Sequence, residues 1–154
     1  MELLNMFKYS RTSTLILLNK IDEEKWDIQP DGFPNTVRWN AGHVYSTAED
    51  FLHDADKNYE ITYPEWNDFF LDGTRPSEWT GDVPTPKEIK AALKEQQERI
   101  FNYFNGKLQN EASVTRDING LMLDTVEASL QFVTWHEGIH LGFTNGLSKI
   151  LLNE

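Results

Sequence analysis

The chain has 154 residues, 39% hydrophobic and 12% aromatic, which excludes a disordered chain and suits one domain that buries a core without disulfide or zinc staples. Twenty-five acidic against fourteen basic residues give a net charge of −11; with no Lys/Arg cluster as a local exception, nucleic acid is excluded as the expected partner. No run approaches the roughly 18 apolar residues of a membrane span. The start, MELLNMFKYSRTST, lacks the apolar core and small-residue cleavage site of a signal peptide. Cysteines are absent, so oxidising compartments are neither implied nor excluded, and the expectation is one cytoplasmic domain over residues 1–154.

In chain order, helical periodicity dominates and strand alternation is almost absent. A first helix is predicted from about Leu3 to Lys20, with Leu4, Phe7, Thr14, Leu15, Leu18 and Ile21 on one face. The stretch DEEKWDIQPDGFPN, with Pro30, Gly32 and Pro34, reads as loop. Asn35 or Thr36 then caps a second helix through about Ala55, with Trp39, His43, Thr47 and Phe51 near one stripe. From Tyr59 to Val83, prolines, glycines and the rings of Trp66, Phe69, Phe70 and Trp79 predict a long crossover packed by its aromatics. Thr85-Pro86-Lys87-Glu88 is a capping box that opens a third helix through about Phe104. Asp124-Thr125-Val126-Glu127 repeats that logic for a last helix ending near Leu152. Four long helices with one long crossover, between the second and the third, read as an all-α four-helix bundle.

The last helix carries His136-Glu137-Gly138-Ile139-His140, the H-E-x-x-H pattern of zinc peptidases. Residues four apart in a helix are offset by only about 40°, so the two imidazoles project side by side and can share one ion. Phe132, Val133, Phe143, Leu147, Ile150 and Leu151 on the same stripe place both rings toward the bundle interior, where a metal would partner them. His43, mid-helix on the second helix between Trp39 and Thr47, can aim at the same axis. Three neutral histidines leave a fourth position open, the arrangement used for chemistry. His53 falls about 80° to the side of that stripe, among charged neighbours, and reads as surface.

A peptidase demands more than the chain offers. The extended H-E-x-x-H-x-x-G-x-x-H pattern needs glycine at 143 and histidine at 146, where Phe143 and Gly146 stand. The alternative, a glutamate from a following helix, has only fourteen residues in which to occur. No convincing strand offers an edge for a peptide substrate. Glu137, about 60° off His140, is a candidate acceptor or proton shuttle. Gln96 interrupts the apolar stripe of Ile89, Leu93, Ile100 and Phe104 and is a candidate to face the metal and orient a ligand or substrate; Asn40 raises the same question on the second helix. Trp39 and Trp135 read as core packing.

TVRWNAGHVYSTAED, followed far downstream by WHEGIHLGFTNGLSKIL, resembles the DinB/YfiT-like superfamily, with its W-N-x-G-H phrase and its H-x-x-x-H-x-G pair ending at Gly142. The likeness extends to FPNTVRW and to the G-T-x-P-x-x-W segment from Gly73 to Trp79. The resemblance implies an up-down-down-up bundle that binds a divalent metal, zinc or nickel, through His43, His136 and His140, and a homodimer through a helix face. It further implies a thiol-dependent S-transferase acting on a small electrophilic substrate with a low-molecular-weight thiol such as bacillithiol. A hydrolase that activates water, or a bundle whose ion is structural or serves association, remains open. A divalent ion favours the thiolate of a coordinated thiol, which gives the transferase reading its chemical sense. An anionic thiol would want a cation at the pocket mouth, and Arg38, Arg75 and Arg116 are the candidates.

Overall fold

The computed structural model describes residues 2–152. It is mostly helical, with a small two-stranded sheet. The long helices are α1 (Glu2–Asn19), α2 (Val37–Ala55), α4 (Pro86–Phe104) and α5 (Val126–Leu151); the crossover contributes one short α-helical turn, α3 (Asn67–Phe70), and two 3-10 turns, Pro64–Trp66 and Pro76–Glu78. Thr36 caps α2 by accepting from the Trp39 amide, Thr85 and Glu88 form the expected reciprocal box at α4, and Thr125 accepts from the Ala128 amide at the start of α5. Each threonine satisfies an amide that has no partner within its helix; Thr85 is the cap expected, Thr36 is the second of the two candidates for α2, and Thr125 caps α5 one residue after the Asp124 that the repeated pattern pointed to.

Helices α4 and α5 each pack against both α1 and α2. One end of the core gathers Leu18, Trp26, Val37, Tyr45, Phe70 and Leu147, and the other gathers Leu4, Phe7, Leu52, Ile100, Phe104 and Leu130. Each such side chain, fully buried, contributes roughly 1.5–3 kcal/mol. Helix α2 is buried around most of its circumference because α4, α5, the crossover and the sheet all lie against it. The aromatics of the crossover do pack it down: Phe70 contacts Trp66 and Trp79 edge-on, and Trp79 Nε1 donates to the Phe69 carbonyl.

Two expectations are corrected. The chain has a β-hairpin where none was read: β1 (Glu111–Ile118) pairs antiparallel with β2 (Leu121–Thr125), joined by Asn119 and Gly120, both at positive φ. Asn-Gly is the strongest short-range hairpin signal, because its residues accept the φ > 0 that a tight primed turn requires. The alternation was hidden because an inward position of β1 is Arg116, whose charge is met by Asp50 and Asp54 of α2. The hairpin packs on α2 and α5, so lack of a strand no longer counts against a peptidase.

The second correction concerns the phase of the last helix. Val126, Leu130, Val133, Glu137, Thr144, Leu147 and Leu151 are its buried positions, so Glu137 and not the histidine pair sits on the stripe facing α1. There Glu137 is 1% exposed and accepts from Arg11 Nε at 2.8 Å; Arg11 is 0% exposed and also donates to the Leu93 carbonyl. Trp135, expected in the core, is 61% exposed, and Ile150 is 38% exposed. His53, expected at the surface, is half-buried with Nδ1 2.7 Å from the Tyr59 carbonyl oxygen.

Candidate metal centre

The turned phase of α5 brings its two histidines against α2. His43 Nε2 and His136 Nε2 lie 3.0 Å apart, and one ring nitrogen from each of His43, His136 and His140 falls within 4.8 Å of the other two. A tetrahedral ion with ligand bonds of about 2.0–2.1 Å would hold its nitrogens roughly 3.3 Å apart, so the cluster fits one with small side-chain adjustment. Among the described residues this is the group of histidine and carboxylate side chains arranged to hold a metal ion.

Tautomers follow from the partners. His43 Nδ1 is 2.6 Å from the Phe70 carbonyl oxygen, which can only accept, so Nδ1 carries the proton and Nε2 presents a lone pair. His140 Nδ1 is 2.8 Å from Asn40 Oδ1. The Asn40 amide is oriented by donating to Asn35 Oδ1 and the Thr36 carbonyl, so its oxygen faces His140 and again leaves Nε2 free. With a lone pair on His43 Nε2 facing His136 Nε2 at 3.0 Å, either a neutral His136 donates its Nε2 proton there or the two nitrogens share a cation. The donor set and its orientation therefore fit a transition metal.

Burial holds all three rings neutral. It lowers His43 below the ordinary imidazole range despite the Phe70 carbonyl. His136 is pushed down to about 3, by burial first and then by His140 and His43; His140 is pushed down to about 4, by burial and His43, against the pull of Asp72. Trp39 stacks on His43 with ring centroids 4.3 Å apart and an interplanar angle of 13°, and its Nε1 donates to Thr74 Oγ1, which ties the ring to the crossover.

The glycine of the W-N-x-G-H phrase has a packing reason. A Cβ on Gly42 would collide with the ring of Phe70. Its absence lets the crossover settle directly on α2 and sets the Phe70 carbonyl against His43. That carbonyl was missed by sequence reading, since a main-chain acceptor in a loop leaves no side-chain signature.

The histidines were expected to face the bundle interior and away from water, with one coordination position open; the structure places them at the wall of a cavity that opens to solvent. They line an open cavity of about 620 Å³, whose other walls include Phe51, Phe132, Ile118, Asp72 and Arg116. Arg116 alone of the three candidate arginines reaches it. Arg38 is spent on Asp27 and the carbonyls of Val83 and Pro84, and Arg75 lies beside Glu78 at 3.6 Å. Neither Gln96 nor Glu137 lines the cavity. Gln96, fully buried, donates to the Tyr45 carbonyl and to Glu49 Oε1 between α2 and α4; Glu137 is held by Arg11. A larger hollow, about 1030 Å³ between the crossover and α4, has no histidine in its lining. Among the described residues no helix is long and apolar enough to cross a membrane.

The family model described as the DinB superfamily matches residues 6–144, a span that contains all three histidines and the hairpin. No curated protein matches the chain.

Proposed function

The chain belongs to the DinB superfamily, and we propose that it is a divalent-metal-dependent enzyme joining a thiol to a small electrophilic substrate. The observation that carries this reading is the open cavity above the three converging histidines. A structural ion would be enclosed by four protein ligands, whereas three ligands facing open space leave a position for a reactant. In this reading His43, His136 and His140 hold zinc or nickel, and the four long helices form the up-down-down-up bundle of the family. When bound, such an ion favours the thiolate form of a thiol and makes it a nucleophile at neutral pH.

The chain's own residues do the rest. Phe70 and Asn40 hold the protonated nitrogens of His43 and His140 and so fix the direction of the other two. Trp39 covers one face of His43 and limits water on that side. Phe51, Phe132 and Ile118 give the cavity an apolar wall for the body of a small substrate. Glu137, in its buried pair with Arg11, fixes the phase of α5 and takes no part in proton transfer, which separates this chain from a zinc peptidase. Hydrolysis is the second reading, supported by the same openness of the cavity.

The test is turnover by zinc- and nickel-loaded protein with a panel of thiols and small electrophiles, following thiol-dependent loss of the electrophile. Conversion that requires both metal and thiol and disappears in His136→Gln supports the transferase. Conversion in water alone supports the hydrolase, and none with either leaves a non-catalytic bundle.

A further inference from the structure

The cavity over the histidines is unbalanced in charge. Arg116, the cation in its lining, is clamped, with Nη2 on Asp50 at 2.8 Å, Nε on Asp54 at 2.6 Å, and its guanidinium 4.1 Å from the centre of the Phe51 ring. Asp54 also meets Lys57 Nζ at 2.5 Å, so these four charges cancel. Asp72 remains. It lines the same cavity, is exposed, and has neither a hydrogen bond nor an ion pair among the described residues. Its position is tied to the centre, because it follows by two residues the Phe70 carbonyl that holds His43. Its negative charge is felt at both His43 and His140. The same cavity is lined by the apolar side chains of Trp39, Leu71 and Phe132.

A free carboxylate in a cavity with aromatic and aliphatic walls, its arginine already neutralised, recognises a positive head group on a compact body, and a thiolate received at the histidines would offset part of the charge that a divalent ion brings there. We propose that this pocket selects a cationic, ammonium-type reactant, received by Asp72, and disfavours reactants that carry a carboxylate. The inference rests on reading the cavity as the reactant pocket. It replaces the sequence-based expectation that an anionic thiol would be met by an arginine: the arginine that reaches the cavity is engaged, and the free charge is acidic.

Two arms keep the inference separate from the thiol chemistry. In the first, binding of benzyltrimethylammonium and of phenylacetate to the full-length, metal-free chain is measured by calorimetry at pH 7.5; the ammonium probe can neither lose a proton nor ligate a metal. The ammonium should bind about tenfold more tightly, and Asp72→Asn, a loop substitution whose folding is verified by circular dichroism, should bring the two within about twofold. In the second, thiocholine and 3-mercaptopropionate are titrated into the cobalt-loaded chain and the thiolate-to-cobalt absorption band is read; thiocholine should saturate it at the lower concentration. Phenylacetate binding as tightly as the ammonium, an unchanged preference in Asp72→Asn, or a lower saturating concentration for mercaptopropionate would overturn the inference. Absence of the band with both thiols counts against the thiol reaction alone, and the first arm still decides the selectivity.

Discussion

His140 Nδ1 lies 2.8 Å from Asn40 Oδ1, a contact that decides which nitrogen of the ring faces the centre. The amide cannot turn over without losing its two donations, to Asn35 Oδ1 at 2.7 Å and to the Thr36 carbonyl at 2.8 Å. Asn40→Leu keeps the branched outline and removes the acceptor. Zinc affinity, measured by competition with a chromogenic chelator, should fall by about 10–100-fold, the usual loss when the partner of a metal-binding histidine is removed. Asn40→Asp, which retains an acceptor, should stay closer to the unaltered protein. Equal affinities in all three would show that His140 needs no such partner.

Gly42→Ala tests the contact between the crossover and α2. The added methyl meets the ring of Phe70, so the segment carrying the Phe70 carbonyl and Asp72 must move away from His43. In an exposed helix interior alanine would be favoured over glycine by about 1 kcal/mol. Here denaturant unfolding should show a loss of about 1–3 kcal/mol from overpacking, together with weaker zinc binding. A stabilised variant with unaltered zinc affinity would contradict this role for the close approach.

The pair Arg11–Glu137 is buried at both ends and makes a sharp prediction about which residues do chemistry. Glu137→Leu strands a buried guanidinium and should cost on the order of 3–5 kcal/mol in unfolding free energy, whereas the double variant Arg11→Met/Glu137→Leu should recover most of it. Metal stoichiometry of the folded double variant should equal that of the unaltered protein. If stability recovers and turnover is still abolished, Glu137 acts in the reaction after all.

Acid should weaken the metal-free fold through its histidines. His136 and His140 titrate in the folded chain at about 3 and about 4, against 6.5 for a free imidazole. Between those values the unfolded chain binds more protons than the folded one, so this contribution is complete above about pH 6.5 and is lost as pH falls through about 4 for His140 and about 3 for His136. Urea midpoints across this window should fall less steeply for His136→Gln, which has one fewer such group. Identical slopes for the variant and the unaltered protein would refute burial as the cause.

Most of the helical frame was legible because helix starts are written locally, in Thr36, Thr85 and Thr125 and the amides they satisfy. The three histidines were legible too, since a pair at i, i+4 and one more on a facing stripe are few enough to pair by inspection. The phase of α5 was not. Its exposed side carries Trp135 and Ile139, and its buried side carries Glu137, so a hydrophobicity stripe alone points the wrong way; the deciding partner, Arg11, is 126 residues distant. The hairpin was obscured for a related reason, since Arg116 occupies an inward position that Asp50 and Asp54 make tolerable. Gln96 was rightly read as buried but given the wrong neighbour: its amide serves Glu49 and the Tyr45 carbonyl, on the side of α2 facing α4.

Zinc-edge X-ray absorption on the full-length, zinc-loaded chain, paired with metal analysis of His43→Gln, tests the common centre most directly. The geometry of His43, His136 and His140 predicts one zinc per chain with about three imidazole nitrogens at about 2.0–2.1 Å, and loss of that zinc in the variant. A shell without imidazole scattering, or full zinc occupancy in His43→Gln, would contradict it.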